Sequence, residues 1–148
     1  IVRRLVGSEM CIRDRFWWRQ QFFILDLDSS EPLFRMSLTL FEKIINKEIP
    51  AEIIYEDDVS IVIEDINPQA PTHLLIIPKK VIPKLSDASN EDQEILGHLM
   101  LVAGKIADQL GLDETFRLVV NNGAKAGQSV FHLHLHLISG RPLNWPPG

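Results

Sequence analysis

The chain has 148 residues, a length that suits one domain with a substantial buried core. Its hydrophobic content of 45% and charged content of 24% are ordinary for a globular protein, and no apolar run approaches the ~18–20 residues of a membrane-spanning helix. The formal net charge of -5 argues against a nucleic-acid-binding surface, which usually needs a basic stripe, and the single cysteine, Cys11, excludes an internal disulfide.

The first 35 residues differ in character from the rest of the chain. Arginines such as Arg13 and Arg19 interrupt their apolar stretches, so they contain no signal-peptide core and no sustained hydrophobic period. We therefore predict that residues 1–35 are either not native to the domain or a disordered extension, and that residues 36–148 form the domain. The absence of a targeting signal predicts a cytoplasmic protein.

The first predicted elements are a short helix and three strands. Apolar residues at helical spacing over 39–47, behind a threonine suited to capping, predict a helix that Pro50 ends. Runs rich in β-branched residues predict strands over residues 52–56, 60–65 and 73–78. The third of these is apolar throughout, which predicts a central position in the sheet.

The second half of the domain is predicted to contain a long helix and two more strands. A wide apolar stripe predicts the helix from about residue 91 to 110, where Gly111 supplies a natural end. Strands are predicted over 115–121 and 129–139, on either side of a glycine-bearing loop. Strands linked by hairpin-length turns indicate an α+β fold with a five-stranded antiparallel sheet, one long helix and one short N-terminal helix.

Three histidines alternate with leucines in the last predicted strand. Side chains alternate between the faces of a strand, so His132, His134 and His136 are expected on one face, about 7 Å apart in succession. Because histidine titrates near neutrality, such a row can supply a nucleophile, an acid and an orienting partner.

Two other interpretations compete with catalysis. One is a row of satisfied core histidines, and the other is a zinc site. Histidines at i and i+4 of a strand lie ~13 Å apart, so zinc would take two of the three and a distant ligand such as His73. No cysteine pair supports zinc, so we expect no metal site and no required cofactor, with zinc kept as the alternative.

The loop before the histidines suits an anion. Gly123 and Gly127 let backbone N–H groups point at a phosphate, and Ser129 adds a hydroxyl. Asn121 is a further candidate donor, and Asp65, which ends a strand, could accept hydrogen bonds from ribose hydroxyls.

The histidine run His132-Leu133-His134-Leu135-His136-Leu137 has the pattern of the histidine-triad (HIT) superfamily. Several other segments resemble its Hint branch, the histidine-triad nucleotide-binding proteins; they lie at residues 41–45, 47–51, 65–73, 127–132 and 145–148. The resemblance covers roughly residues 37–148. One departure is Asn67, which stands where a serine is common in the family.

The resemblance implies a purine nucleoside phosphoramidase. Such an enzyme hydrolyses the P–N bond of adenosine 5'-phosphoramidates, with AMP-lysine-like or aminoacyl-adenylate-like substrates, through a covalent nucleotidyl-histidine. The resemblance further implies a purine nucleotide ligand of the AMP or GMP type and a homodimer whose sheets join edge to edge, with no nucleic-acid or membrane partner. The alternatives are a dinucleoside polyphosphate hydrolase of the same superfamily and a nucleotide-binding scaffold protein.

The resemblance also assigns roles to residues. His134 matches the nucleophile, His136 a group that stabilises the phosphoryl oxygens, and His132 and His73 the histidines that orient the nucleophile. Ser129 matches the residue near the leaving amine, and Trp145 a tail residue that reaches the partner's site. The implied nucleotide contacts are Phe41, Ile44, Asp65, Ile66, Asn121, Gly127, Gln128, Ser129, Val130, His134 and His136.

Overall fold

The computed structural model describes residues 37–112 and 115–147. The extension predicted over residues 1–35 lies outside these ranges, so its nature stays a prediction. Among the helices in the described ranges, none is long and apolar enough to cross a membrane.

The described residues form two α-helices and one five-stranded sheet. In chain order the elements are α1 (Leu40–Ile45), β1 (Ile53–Glu56), β2 (Ser60–Glu64), β3 (Thr72–Pro78), α2 (Gln93–Gln109), β4 (Arg117–Val119) and β5 (Leu135–Ser139). All neighbouring strands are antiparallel, in the order β1-β2-β3-β5-β4. The predicted α+β fold is confirmed, and the third strand is central as its apolar sequence predicts.

α1 begins at a capping box, in which a side chain and a backbone N–H at each end of the first turn bond reciprocally, and a second box begins the 3-10 turn that precedes α2. Thr39 Oγ1 accepts the Glu42 N–H at 3.2 Å, and Glu42 Oε2 accepts the Thr39 N–H at 2.7 Å. Ser89 and Asp92 form the second box around a 3-10 turn. Because that turn is not α-helical, α2 begins at Gln93, two residues later than predicted.

The sheet carries an apolar layer on each face. One layer packs against α2 and contains Leu74 and Ile76 of β3 with Leu135 and Leu137 of β5. The other contains Leu75 and Ile77 of β3 with Ile61 and Ile63 of β2, and it is covered by Phe41 and Ile44 of α1. This alternation along β3 places the odd-numbered residues 73–77 on the same side as α1.

The fifth strand is shorter than predicted. It begins at Leu135, so His132 and His134 precede it instead of lying within it. The Leu133 N–H donates to the Ile82 carbonyl at 2.6 Å, which ties this segment to the irregular chain after β3. The predicted alternation nevertheless persists, since Leu133 joins the α2 layer while the histidines on either side of it face α1.

A carboxylate fastens the β1–β2 turn to α2. Asp57 Oδ1 accepts the N–H groups of Val59 and Ser60, while Asp57 Oδ2 accepts the Tyr55 hydroxyl at 2.9 Å and His98 Nε2–H at 2.8 Å. Burial alone would raise the Asp57 pKa, but these hydrogen bonds together hold it well below its usual range. His98, in the middle of α2, is thereby half-buried, because the turn folds back onto it.

We predict that Asp57→Asn lowers the free energy of unfolding by about 1–3 kcal/mol, because it removes a charged acceptor shared by the turn and α2. The neighbouring Asp58 is exposed, which makes Asp58→Asn the matched control with an effect within about 0.5 kcal/mol. Urea unfolding of both variants at neutral pH measures the difference. Equal stability of the two variants would contradict this role of Asp57.

Candidate active site

Four histidines meet on the α1 side of the sheet, where β3 and β5 pair. Leu75 lies opposite His136 in this register, so His73 is a diagonal neighbour of His136 on the same face. His73 Nε2 and His136 Nδ1 are 2.9 Å apart, and the rings of His134 and His136 are 5.0 Å apart. The structure therefore brings His73 to the triad as predicted, with closer rings than regular strand spacing gives.

His132 is fully buried, and both of its ring nitrogens are occupied. Its Nε2–H donates to the Pro78 carbonyl at 2.8 Å, since a carbonyl oxygen can only accept. Its Nδ1 lies 3.1 Å from Thr39 Oγ1 and accepts that hydroxyl's proton in the neutral ring. Burial lowers the His132 pKa and so favours this neutral form. His132 therefore has no ring nitrogen without a partner.

Thr39, which the sequence indicates only as a helix cap, also contacts the histidine cluster. Its oxygen accepts the Glu42 N–H and its proton goes to His132, so the start of α1 is joined directly to the first histidine. The two residues are separated by 93 positions in the chain, so no local pattern signals their contact.

His134 is oriented by its own strand. Its Nδ1–H donates to the backbone carbonyl of His132 at 2.7 Å, so in the neutral ring the lone pair is at Nε2. The edge of the Phe41 ring packs against His134 with centroids 5.1 Å apart, which leaves the imidazole little room to turn. An unprotonated, fixed Nε2 is what a nucleophilic histidine requires.

His136 has one buried ring nitrogen without a hydrogen-bond partner among the described residues. Its Nδ1 is paired with His73, whereas its Nε2 is buried without a hydrogen-bond partner in the described part of the chain. Burial, followed by the neighbouring His134 and His73, lowers the pKa of His136 to about 4. His136 is therefore neutral near physiological pH, next to His134 and with one free polar atom.

Asp65 completes a group whose polar atoms lie close enough to share a metal ion. Asp65 Oδ2 is 3.5 Å from His73 Nε2 and 3.8 Å from His136 Nδ1, and within the described ranges the three ligand atoms lie within 4.8 Å of one another. A metal would need a lone pair on both nitrogens, whereas the 2.9 Å contact between them requires a proton there. The observed arrangement is therefore that of a hydrogen-bonded pair beside a carboxylate.

The loop before the histidines contains polar groups of two kinds: some hold the loop together, and others have no hydrogen-bond partner among the described residues. The buried Gln128 amide accepts the Gly123 N–H at 2.8 Å and donates to the carbonyls of Pro83 and Val130, so it fastens the loop. The backbone N–H groups of Gly127 and Gln128 also bond within the loop. Their predicted phosphate contacts stay predictions, and in this geometry they would require the loop to change its own bonds.

Asn121 and Ser129 are the available donors of this region. Neither side chain has a hydrogen-bond partner among residues 37–112 and 115–147. Gly127 adopts a φ of +92° that disfavours any side chain, and a Cβ there would lie 3.6 Å from Asn121 Nδ2. The glycine therefore brings the loop backbone close to the Asn121 amide, at the side of the sheet where β4 meets β5.

The residues predicted to contact the base and ribose differ in exposure. Phe41 and Ile44 are buried in the α1 layer, and Phe41 also borders His132 and His134. Ile66 is 91% exposed beside the partly buried Asp65, as a surface that a ligand covers would be. Val130 packs at the edge of the α1 layer.

Trp145 lies in the C-terminal tail and is 85% exposed. The Arg117 guanidinium donates to the Leu143 carbonyl at 3.1 Å and to the Asn144 carbonyl at 2.7 Å, which holds the tail against β4. The structure therefore places Trp145 beside an edge strand, away from contacts with the described histidine cluster.

Two curated relatives align over most of this domain. A HIT-like protein of Synechocystis sp. is 59% identical over 110 residues, which are 74% of this chain and 96% of the relative. A 14 kDa zinc-binding protein of Zea mays is 51% identical over 114 residues, which are 76% of this chain and 89% of the relative.

Solved structures and a family model agree with these relatives. A HIT family hydrolase from Legionella pneumophila superposes with a TM-score of 0.72 at 49% identity, over 74% of this chain and 98% of that one. A histidine triad nucleotide-binding protein from Candida albicans superposes with a TM-score of 0.64 at 33% identity, over 74% and 83%. The HIT domain model matches residues 46–143. With its sheet, histidine cluster and relatives in agreement, the chain belongs to the HIT domain family.

Proposed function

We propose that this protein is a purine nucleoside phosphoramidase, which hydrolyses the P–N bond of adenosine 5'-phosphoramidates. The observation that carries the proposal is the 2.7 Å hydrogen bond from His134 Nδ1–H to the His132 carbonyl, which leaves a lone pair at Nε2. The similarity to a HIT family hydrolase and to a histidine triad nucleotide-binding protein supports a hydrolase that takes nucleotides.

The proposed reaction has two displacements at phosphorus. The His134 Nε2 lone pair attacks the α-phosphorus, the P–N bond breaks, and its electron pair leaves with the nitrogen, which takes up a proton from solvent and departs as an amine. Ser129, exposed and unpartnered among the described residues, is the hydroxyl we assign to the passage of this proton to the leaving nitrogen. Water then attacks the phosphorus of the phosphohistidine and returns a proton to solvent, while the P–Nε2 bond breaks, which releases AMP and restores the lone pair at His134.

Charge on the phosphoryl oxygens is met by neutral donors in this scheme. The buried, unpaired Nε2 of His136 stands beside the nucleophile, and the free amide of Asn121 lies near Gly127. Fixed donors of this kind typically contribute about 2.7–4 kcal/mol each to the stabilisation of a developing oxyanion. All the groups that this scheme uses belong to the chain, so it requires no metal.

The proposed ligand is a purine nucleotide of the AMP or GMP type. Phe41 and Ile44 form an apolar surface next to His134. The exposed Ile66 and the partly buried Asp65 lie at the turn after β2. An apolar wall suits the base, and a carboxylate suits ribose hydroxyls. The same site would accept a dinucleoside polyphosphate, which is the second candidate substrate because its α-phosphate needs the same nucleophile.

We further propose a homodimer in which the sheets join at their β4 edges. Within the described chain β4 pairs only with β5, so its other edge is free for a second copy. α2 also exposes an apolar strip of Gly97, Met100, Leu101 and Gly104, of which Leu101 is 75% exposed. Because the tail is held on β4, Trp145 would then lie next to the partner.

We predict that His134→Asn lowers AMP release from an adenosine phosphoramidate by at least about a thousandfold, because it removes the nucleophilic nitrogen. AMP binding, measured by calorimetry, is expected to persist. The rates should be measured side by side on a phosphoramidate and a diadenosine polyphosphate.

The matched control is His98→Asn, which changes a histidine outside the site and is expected to retain turnover. Full activity of His134→Asn would overturn the nucleophile assignment. A wild-type preference for the diadenosine substrate would instead favour the second candidate, and AMP binding without turnover on either would favour a scaffold.

The pKa of His136 predicts a pH dependence of stability. Burial lowers this pKa from 6.5 to about 4, so between these values the unfolded chain binds more protons than the folded one. The free energy of unfolding therefore rises with pH across this window. The contribution of His136 to it is fully present above 6.5 and is lost as pH falls towards 4. We predict that His136→Gln reduces the slope of the free energy of unfolding by about 1 kcal/mol per pH unit near pH ~5, measured by urea unfolding. An unchanged slope would show that His136 is not held neutral.

For the assembly, we predict that Leu101→Arg shifts the protein from dimer to monomer, because it places a charge in the centre of the exposed α2 strip. Leu85→Arg is the control, since Leu85 is also exposed but lies outside that strip. Sedimentation at micromolar concentration measures the mass of each variant. A wild-type monomer, or a dimer unaffected by Leu101→Arg, would contradict the proposed interface.

A further inference from the structure

We propose that the backbone amide of Gln69 fixes the tautomers of two active-site histidines, so that His136 presents an Nε2–H to the substrate. Gln69 lies in the loop between β2 and β3, outside the histidine motif, and acts as a positioning residue through its main chain. That His136 Nε2–H meets a substrate rests on the proposed function, whereas the assignment of the two tautomers does not.

The first step concerns His73. The Gln69 N–H donates to His73 Nδ1 at 3.1 Å. A backbone N–H can only donate, so Nδ1 of His73 must hold a lone pair. The proton of the neutral His73 ring is therefore at Nε2.

The second step passes this assignment to His136. His73 Nε2–H faces His136 Nδ1 at 2.9 Å, so His136 Nδ1 accepts and must also hold a lone pair. The proton of the neutral His136 ring is consequently at Nε2. The reverse tautomer of His136 would set two N–H groups against each other across the same 2.9 Å contact.

The position of Asp65 agrees with the same arrangement. Its Oδ2 lies 3.5 Å from His73 Nε2 and 3.8 Å from His136 Nδ1, and a carboxylate, which can only accept, favours a proton on the nearer nitrogen. A proton on His73 Nε2 is thus favoured by the carboxylate, by His136 Nδ1 and by the Gln69 amide on the far side of the ring. His134 faces His136 from the other side, with ring centroids 5.0 Å apart and no hydrogen bond between the two rings.

The resulting donor has no acceptor in the described part of the protein. His136 Nε2 is buried, and a buried N–H without an acceptor is unfavourable because it has lost its hydrogen bond to water. An oxygen of the bound α-phosphoryl group would satisfy it. Because the ring donates as a neutral imidazole, it needs no protonation to do so.

The Gln69 amide is held in place by its own loop. Arg141 Nε donates to the Gln69 carbonyl at 3.2 Å, the Gln69 side chain donates to the Asn67 carbonyl at 2.8 Å, and the Asn67 N–H donates to Asp65 Oδ1 at 2.8 Å. The loop therefore connects the carboxylate and the amide that act on the two edges of His73.

The direct test is NMR of the wild-type protein with 15N-labelled histidine, at neutral pH and without nucleotide. The proposal expects the Nε2–H tautomer for His73 and His136 and the Nδ1–H tautomer for His134. A predominant Nδ1–H tautomer at His73 or His136 would overturn it. This measurement needs no activity, so it separates the proposal from the proposed reaction.

The second test compares Gln69→Pro with Gln69→Ala. Both lose the side chain, but only proline lacks the amide proton. We expect kcat/KM for the phosphoramidate to be about tenfold lower in Gln69→Pro than in Gln69→Ala, with the loss in kcat, and mixed tautomers at His73. Equal rates and unchanged tautomers in a folded Gln69→Pro would overturn the proposal. If that variant does not fold, the wild-type tautomers decide.

Discussion

The antiparallel pairing of β3 with β5 is the constraint on which both the core and the site depend. With Leu75 opposite His136, the even-numbered residues of β3 join the α2 layer, while His73 is left beside His136 under α1. A slip of one residue would turn every side chain of a strand to the other face. The apolar layers that stabilise the domain therefore also fix which histidines can meet.

Main-chain groups give each histidine a different role. The Pro78 carbonyl occupies His132, the His132 carbonyl turns the lone pair of His134 outward, and the amide of Gln69 sets His73. Carbonyl and amide groups do not titrate, so the partner that selects the tautomer of each neutral ring does not itself change with pH. Four chemically identical side chains thus differ in which ring nitrogen carries the proton and in what that nitrogen contacts.

The sequence predicts those features that depend on local pattern. The apolar run over residues 73–78 predicts a central strand, and the threonine suited to capping predicts where α1 begins. It does not predict contacts between distant segments, such as the bond between Leu133 and Ile82 that replaces the first part of the expected fifth strand. The same holds for the Gln69 amide, since a backbone donor leaves no signature in residue type. The candidate site residues follow from motif and resemblance, whereas the hydrogen bonds of their rings depend on the three-dimensional fold.

Thr39 joins two parts of the molecule that would otherwise vary separately. One hydroxyl both caps α1, which carries Phe41 and Ile44, and holds the ring of His132. A sequence change that moves α1 would also move His132, and with it the carbonyl that orients His134. Under the proposed function, ligand preference and turnover would therefore be inherited together, and a descendant of this chain would alter one alone only by rebuilding the start of its first helix.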